Sequence, residues 1–388
     1  MELNFIDKLN TAATDIANGI SGFFADEKPP VAPAPTDGTI DLPSDLFARA
    51  DAQTEWWYYT GHCRTTSGRE FGFELVFFKR RTDGDKIGVM PASVIGNPMY
   101  FAHFAVSDVT RQQFRYDHIR TFGTALEVKA AMSETSYDVS MGDWSIREVG
   151  GKHILRGTLD GLTFDAILEA TKAPVPNGDN GNGIARKNQG TSKHFSFTRM
   201  SVTGKLTDGG ESEEFTGSAW MDREYGAWEQ GGGWDWFSIQ YEDNSELMLY
   251  QYKTADGQTY GESTGTYVAA DGTATYLKRS DFDIETLTNW VSVGTGAKYP
   301  SSWQVKVPSL NIDVMVKALI DDQELDTRGT TMIVYWEGAC SVVGTKGDKG
   351  VSGRAYVELV GYDRSHETVR IGDFFFGKTV KQLSDLFA

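Results

Sequence analysis

Downstream of residue 40, apolar and polar positions alternate with a period of two. In EFGFELVFFK (70–79), Phe71, Phe73, Leu75 and Phe77 fall on one face, the mark of a strand with one side in a core. EWWYYTGHC (55–63) reads as its partner, and RTTSGR (64–69) as the connecting turn. The arrangement recurs in WDWFSIQYEDNSELMLYQYK (234–253): a tryptophan-led strand, a polar turn, a second strand and a closing lysine. Setting Trp57 on Trp236 brings Lys79 close to Lys253, which suggests two related β halves. CSVVGTKGDKGVSGRAYVELVGY (340–362) reads as a further hairpin with Gly-Asp-Lys-Gly at its tip.

The period changes at the ends. In residues 3–24, Phe5, Ile6, Leu9, Ala13, Ile16, Ile20 and Phe23 recur every three to four positions and predict an amphipathic helix over 1–25. Two uses of it stay open: docking on its own body, or contact with a protein partner or membrane surface. DEKPPVAPAPTDGT holds four prolines and reads as an extended linker over 26–39. The Gly/Asn-rich stretch 172–192 reads as a long loop, disordered or a functional lid. TVKQLSDLFA at the C-terminus has the pattern of a short helix.

Composition supports an all-β body: 388 residues, 40% hydrophobic, 12% aromatic and 42 glycines among strand formers. The net charge of −17 argues against a nucleic-acid partner and against attraction to anionic lipid. The N-terminus starts acidic, with Lys8 as the one cation in the first 24 residues and Asp15 inside the apolar stretch, unlike a secretory signal. No run of eighteen apolar residues exists to span a membrane. These features predict a cytoplasmic protein, peripheral to a membrane if residues 3–24 dock there, with Cys63 and Cys340 as buried free thiols.

The candidate chemistry centres on GSAWMDREYG (217–226). On a strand, Trp220, Asp222 and Glu224 point one way and Arg223 the other. Two close carboxyls in an apolar setting resist double ionisation, and a retained proton suits a general acid. An exposed pair meeting Lys or Arg across the sheet fits the same pattern. Trp56, Trp57, Trp234, Trp236, Trp303 and Trp336 form clusters that suit either core packing or an apolar ligand cavity whose ring faces steady a cation. His194, at the junction of the 172–192 stretch with a strand, is the histidine best placed for a cavity. Arg199 lies close enough in sequence to neutralise a carboxylate or hold a polar head group. Candidate catalytic residues are therefore Asp222 and Glu224. Candidate substrate-binding residues are Trp57, His194, Arg199, Trp220, Tyr225, Trp234 and Trp236. No phosphate loop, nucleophile elbow or metal-ligand spacing is present, so no cofactor is expected.

EWWYYTGH, FGFELVFFK, HFAVSD, FSFTRM, GSAWMDREYG, WDWFSIQ and YWEGACSVVG…GRAYVELVGY follow one another in that order between Leu42 and Tyr362. Together they resemble the lipocalin-like AttH family, relatives of the carotenoid 1,2-hydratases (hydroxyneurosporene synthases). The resemblance implies two lipocalin-like antiparallel β-barrel domains side by side, here 40–228 and 229–388, with the Asp222 segment near their junction. It implies an apolar ligand, isoprenoid or polyketide-like, with Asp222 as proton donor, Trp220 as the aromatic two residues before it, and His194 near a further functional histidine. Arg223 stands where members often carry His, Glu224 where hydratases tend to carry Asn, and the usual export signal is missing. Two functions follow: acid-catalysed hydration or cyclisation of an alkene, or carriage of an apolar ligand or pigment by a protein that docks through its N-terminal helix.

Overall fold

Phe71, Phe73, Leu75 and Phe77 all turn into one core, as their spacing requires, and Glu74, Val76 and Phe78 turn out of it. The computed structural model describes residues 37–363 apart from 84–85, 88–89, 92–95, 123–126, 179–180, 188–189, 229–231 and 255–256. The expected N-terminal helix, most of the linker and the C-terminal helix lie outside the described residues.

The described chain is nearly all β. A thirteen-stranded antiparallel sheet runs up to the strand Glu211–Ala227, and a ten-stranded one begins at Gly233–Tyr241. At the centre of the first sheet lie, in spatial order, strands Glu70–Arg80, Thr54–Thr65, Glu211–Ala227 and Gly190–Asp208. At the centre of the second lie Glu246–Lys253, Gly233–Tyr241, Lys349–Val360 and Val334–Lys346. Each sheet curls around its own core, in the manner of two lipocalin-like barrels. Trp57, Phe73, Phe104, Phe164 and Met221 fill one, and Phe237, Trp303, Val314, Trp336 and Leu359 the other. A third cluster forms where the outer faces of the two central regions meet, with Tyr58, Val76 and Trp220 from the first sheet and Trp236, Met248, Tyr250 and Tyr356 from the second. Strands there are apolar on both faces, which is why EWWYYT carries no polar alternation.

Two readings of the pattern need correction. Trp57 belongs to the first barrel's core and Trp236 to the contact between barrels, so the 57-on-236 alignment sets residues on opposite faces. Trp56 and Tyr58 are the face equivalents of Trp234 and Trp236. The described residues of 172–192 do not form one long loop. Val175–Pro176 and Ile184–Lys187 form short strands on the His194 strand. Buried Asn177 donates to Ser196 Oγ (2.7 Å) and accepts from Thr266 Oγ1 of the second sheet (2.9 Å). Polar side chains here serve packing, which is what a Gly/Asn-rich composition hides.

Cys63 and Cys340 are both free and buried, one in each core. Among the described residues, no helix is long and apolar enough to cross a membrane.

A carboxylate chamber between two barrels

Strand register assembles the site. Asp222 lies opposite Tyr58 on one neighbouring strand and Ser196 on the other. Glu224 lies likewise between Trp56 and His194. Directly opposed residues share a face, so this set projects from the first barrel toward the second. Met221, Arg223 and Tyr225 project the other way.

Asp222 is 4% exposed. Its Oδ1 accepts hydrogen bonds from Trp220 Nε1 (2.6 Å) and from Ser196 Oγ, and its Oδ2 lies 3.1 Å from His194 Nε2. Behind Ser196 the bonds continue through Asn177 to Thr266, tying the acid's orientation to both sheets. The His194 backbone is held on both sides: its N–H donates to Gly183 O and its carbonyl accepts from Asn177 N, each at 2.9 Å. Glu224 is also buried, and its Oε1 accepts from Ser192 Oγ.

These groups line a cavity of about 60 Å³. Trp56, Tyr58, Phe78, Trp234, Trp236 and Tyr250 form its aromatic walls, and His194, Asp222, Glu224 and Glu358 its polar ones. Trp236 stands edge-on to Tyr58 (centroids 5.2 Å) and to Trp220 (6.1 Å). Its indole N–H is buried and meets no acceptor among the described residues. The space suits a water or two and is well below the several hundred Å³ of a typical ligand site, so a larger substrate enters only if the aromatic wall parts. A larger depression, about 870 Å³, lies on the outer face of the first sheet around Arg156, Ile167 and Thr216. It is open to solvent and does not include these buried acids.

Of the expected substrate-binding residues, His194, Trp220, Trp234 and Trp236 gather at or beside this chamber; three others do not. Arg199 binds Glu246 of the second sheet (Nε–Oε1 2.5 Å) and Tyr241 O, so it staples the barrels together. Trp57 is wholly buried, donating to Leu46 O (2.7 Å) with the Arg223 guanidinium 4.2 Å from its ring centroid. Tyr225 donates to Asp45 Oδ1 (2.7 Å) on the same inner side, and burial raises its phenol to about 12. One residue of strand parity separates each of the last two from the chamber.

Three glutamates were not singled out from the sequence. Glu358 lines the chamber and accepts from Trp234 Nε1 (2.8 Å). It lies directly opposite Glu337 on the adjoining strand. Glu337 Oε1 accepts from Tyr58 OH (2.7 Å), and Glu74 Oε1 accepts from Tyr335 OH (3.1 Å), whose oxygen lies 2.7 Å from His103 Nδ1. Glu74 and Glu337 are almost wholly buried, and the second oxygen of each has no hydrogen-bond partner among the described residues. Burial, then the charge of Glu358, pushes Glu74 up to about 8. Burial, then the charges of Glu74 and Glu358, pushes Glu337 far above the ordinary carboxyl range. The available signal was an acid at an outward position within a strand apolar on both faces: FGFELVFF, YWEGAC and AYVELV. Among the described residues, no group of three or more His, Cys, Asp or Glu is placed to hold a metal ion.

The AttH-like family model matches residues 33–362. The crystal structure of an AttH protein from Nitrosomonas europaea is 30% identical, with a TM-score of 0.74, over 86% of this chain and all of that one. Kievitone hydratase from Nectria haematococca is 17% identical, with a TM-score of 0.65, over 86% of this chain and 97% of that one, which shows a shared fold. Dehydratase asqC of Emericella nidulans is 24% identical over 177 residues, 42% of this chain; the chain spans about half the length of that curated relative. With a family model over most of its length and a 30%-identical structure covered end to end, the chain belongs to the AttH-like family.

Proposed function

We propose that this protein is an acid-catalysed hydro-lyase or cyclase acting on a carbon–carbon double bond of an apolar, isoprenoid-type substrate. The observation that carries the reading is Asp222 itself: a buried carboxyl, in contact with His194, that lines a small aromatic-walled cavity. The Asp222–His194 contact holds the proton to be given. Its transfer to one alkene carbon leaves a cation on the other, beside the rings of Trp220, Trp236 and Tyr58, whose faces attract positive charge. Water then adds to that carbon and releases a proton, or a second double bond closes a ring. Glu224 positions the water. The aromatic walls exclude other nucleophiles and strengthen every electrostatic contact inside. Relatives and structural neighbours bearing the names hydratase and dehydratase support the reaction class.

The test is to incubate the protein with acyclic terpenoid and carotenoid alkenes in ¹⁸O-water and analyse products by mass spectrometry. Labelled alcohol from the wild type, and none from Asp222→Asn, supports the reading. Tight binding of these alkenes with no conversion by either form would point to a carrier instead.

A further inference from the structure

The two oxygens of Asp222 have different surroundings. Oδ1 accepts from Trp220 Nε1 (2.6 Å) and from Ser196 Oγ, while Oδ2 meets His194 Nε2 (3.1 Å). An indole N–H can only donate, and a carboxyl oxygen that accepts two hydrogens has both lone pairs in use. The proton that Asp222 gives therefore lies on the Oδ2 side, in the contact with His194. We propose that Thr266, Asn177 and Ser196 form a positioning chain, begun in the second barrel, that holds Oδ1 as the fixed acceptor and so makes Oδ2 the oxygen from which the proton leaves. The inference rests on the hydro-lyase reading above.

Three observations carry it. The bonds run one way: Thr266 Oγ1 donates to Asn177 Oδ1 (2.9 Å), Asn177 Nδ2 to Ser196 Oγ (2.7 Å), and Ser196 Oγ to Asp222 Oδ1. Bonds aligned head to tail polarise one another and strengthen the last of them. The chain is also buried, with Thr266 at 2% and Asn177 and Ser196 at 0% exposure, so bulk water does not replace a donor lost there. Asn177 in addition holds the other side of the proton's contact, because its backbone N–H donates to the His194 carbonyl (2.9 Å). One residue thus fixes both Asp222 and His194. None of the three lines the chamber, so they act through Asp222 and not on substrate.

The chain matters most once the proton has gone to carbon. The charge then left on the carboxylate is met at Oδ1 by two donors already in place, with no reorganisation. The proton released after water adds or the ring closes returns to the Oδ2–His194 contact and restores the acid.

NMR of the purified protein reads the chain without any substrate. The indole proton of Trp220 shares Oδ1 with Ser196, so its resonance, identified by its loss in Trp220→Phe, reports how strongly Ser196 donates. Ser196→Ala should move it downfield, since the indole then has the oxygen to itself. Thr266→Val should move it the same way by less, and Thr266→Ser, which keeps the hydroxyl, should leave it near its wild-type position. A resonance that stays in place in both Ser196→Ala and Thr266→Val overturns the proposal. On whichever alkene the wild type converts, Ser196→Ala should lower kcat about ten-fold or more with KM unchanged. Thr266→Val should lower it about two-fold, with recovery in Thr266→Ser. Wild-type kcat in both folded variants, or an effect on KM alone, overturns the positioning role while leaving Asp222 as donor. Unchanged turnover in Asp222→Asn defeats the underlying reading, and the indole resonance still decides whether the chain acts on Asp222.

Discussion

Asp222 and Arg223 are consecutive, yet they face opposite sides of one sheet. Asp222 opens on the chamber between barrels. The Arg223 guanidinium lies inside the first barrel, wholly buried, 2.5 Å from Oε2 of Glu55, whose Oε1 binds Lys79 (2.6 Å). The strand's two-residue period thus keeps a permanent cation away from the acid and satisfies that cation with another carboxylate.

Tyr225 shares Arg223's side, so its hydroxyl belongs to stability and not to chemistry. Tyr225→Phe removes a donor from buried Asp45 and should cost about 1–2 kcal/mol in denaturant unfolding. Alkene turnover should stay within about two-fold, since no contact with the chamber is lost. A large loss of turnover with native stability would contradict the placement.

Glu246, wholly buried in the second sheet, receives Arg199 (2.5 Å) and Lys172 (2.8 Å) from the first. Glu246→Gln leaves two cations facing each other at the barrel contact. The expected cost is about 2–3 kcal/mol, allowing for the solvent that reaches part of Arg199. Chemical unfolding measures it. A neutral effect would mean that the staple contributes nothing.

Glu74 sets the alkaline side of the stability profile. Its carboxyl is raised from 4.5 to about 8, so between these values the native state keeps a proton that the unfolded chain has lost. Stability therefore falls as pH rises through that window. Glu74→Gln lacks this contribution, and its melting temperature relative to wild type should climb from pH 5 to pH 9. A constant difference would refute this. On the acid side His62 and His153, both lowered from 6.5 to about 4 chiefly by burial, act in reverse: stability present above 6.5 is lost as pH falls toward 4.

Much of this was legible in the sequence. Period-two alternation located the main hairpins, and parity on the Asp222 strand separated Trp220, Asp222 and Glu224 from Arg223. What stayed hidden depends on which face meets the other barrel. Trp57 and Tyr225 look like chamber aromatics in sequence because a two-sided apolar strand has no polar face to mark its inside. Arg199 sits past a β-bulge between Phe197 and Met200, which resets the register that His194 and Ser196 follow. Glu74, Glu337 and Glu358 are far apart in the chain and meet only through long-range strand pairing.

The central claim is that Asp222 hands a proton to carbon, and deuterium reports it directly. In D₂O, the wild-type product should carry one solvent deuterium on the carbon next to the new hydroxyl or ring bond. Asp222→Asn, folded and still binding the alkene, should form no such product. Labelled product at the wild-type rate from Asp222→Asn would contradict the account.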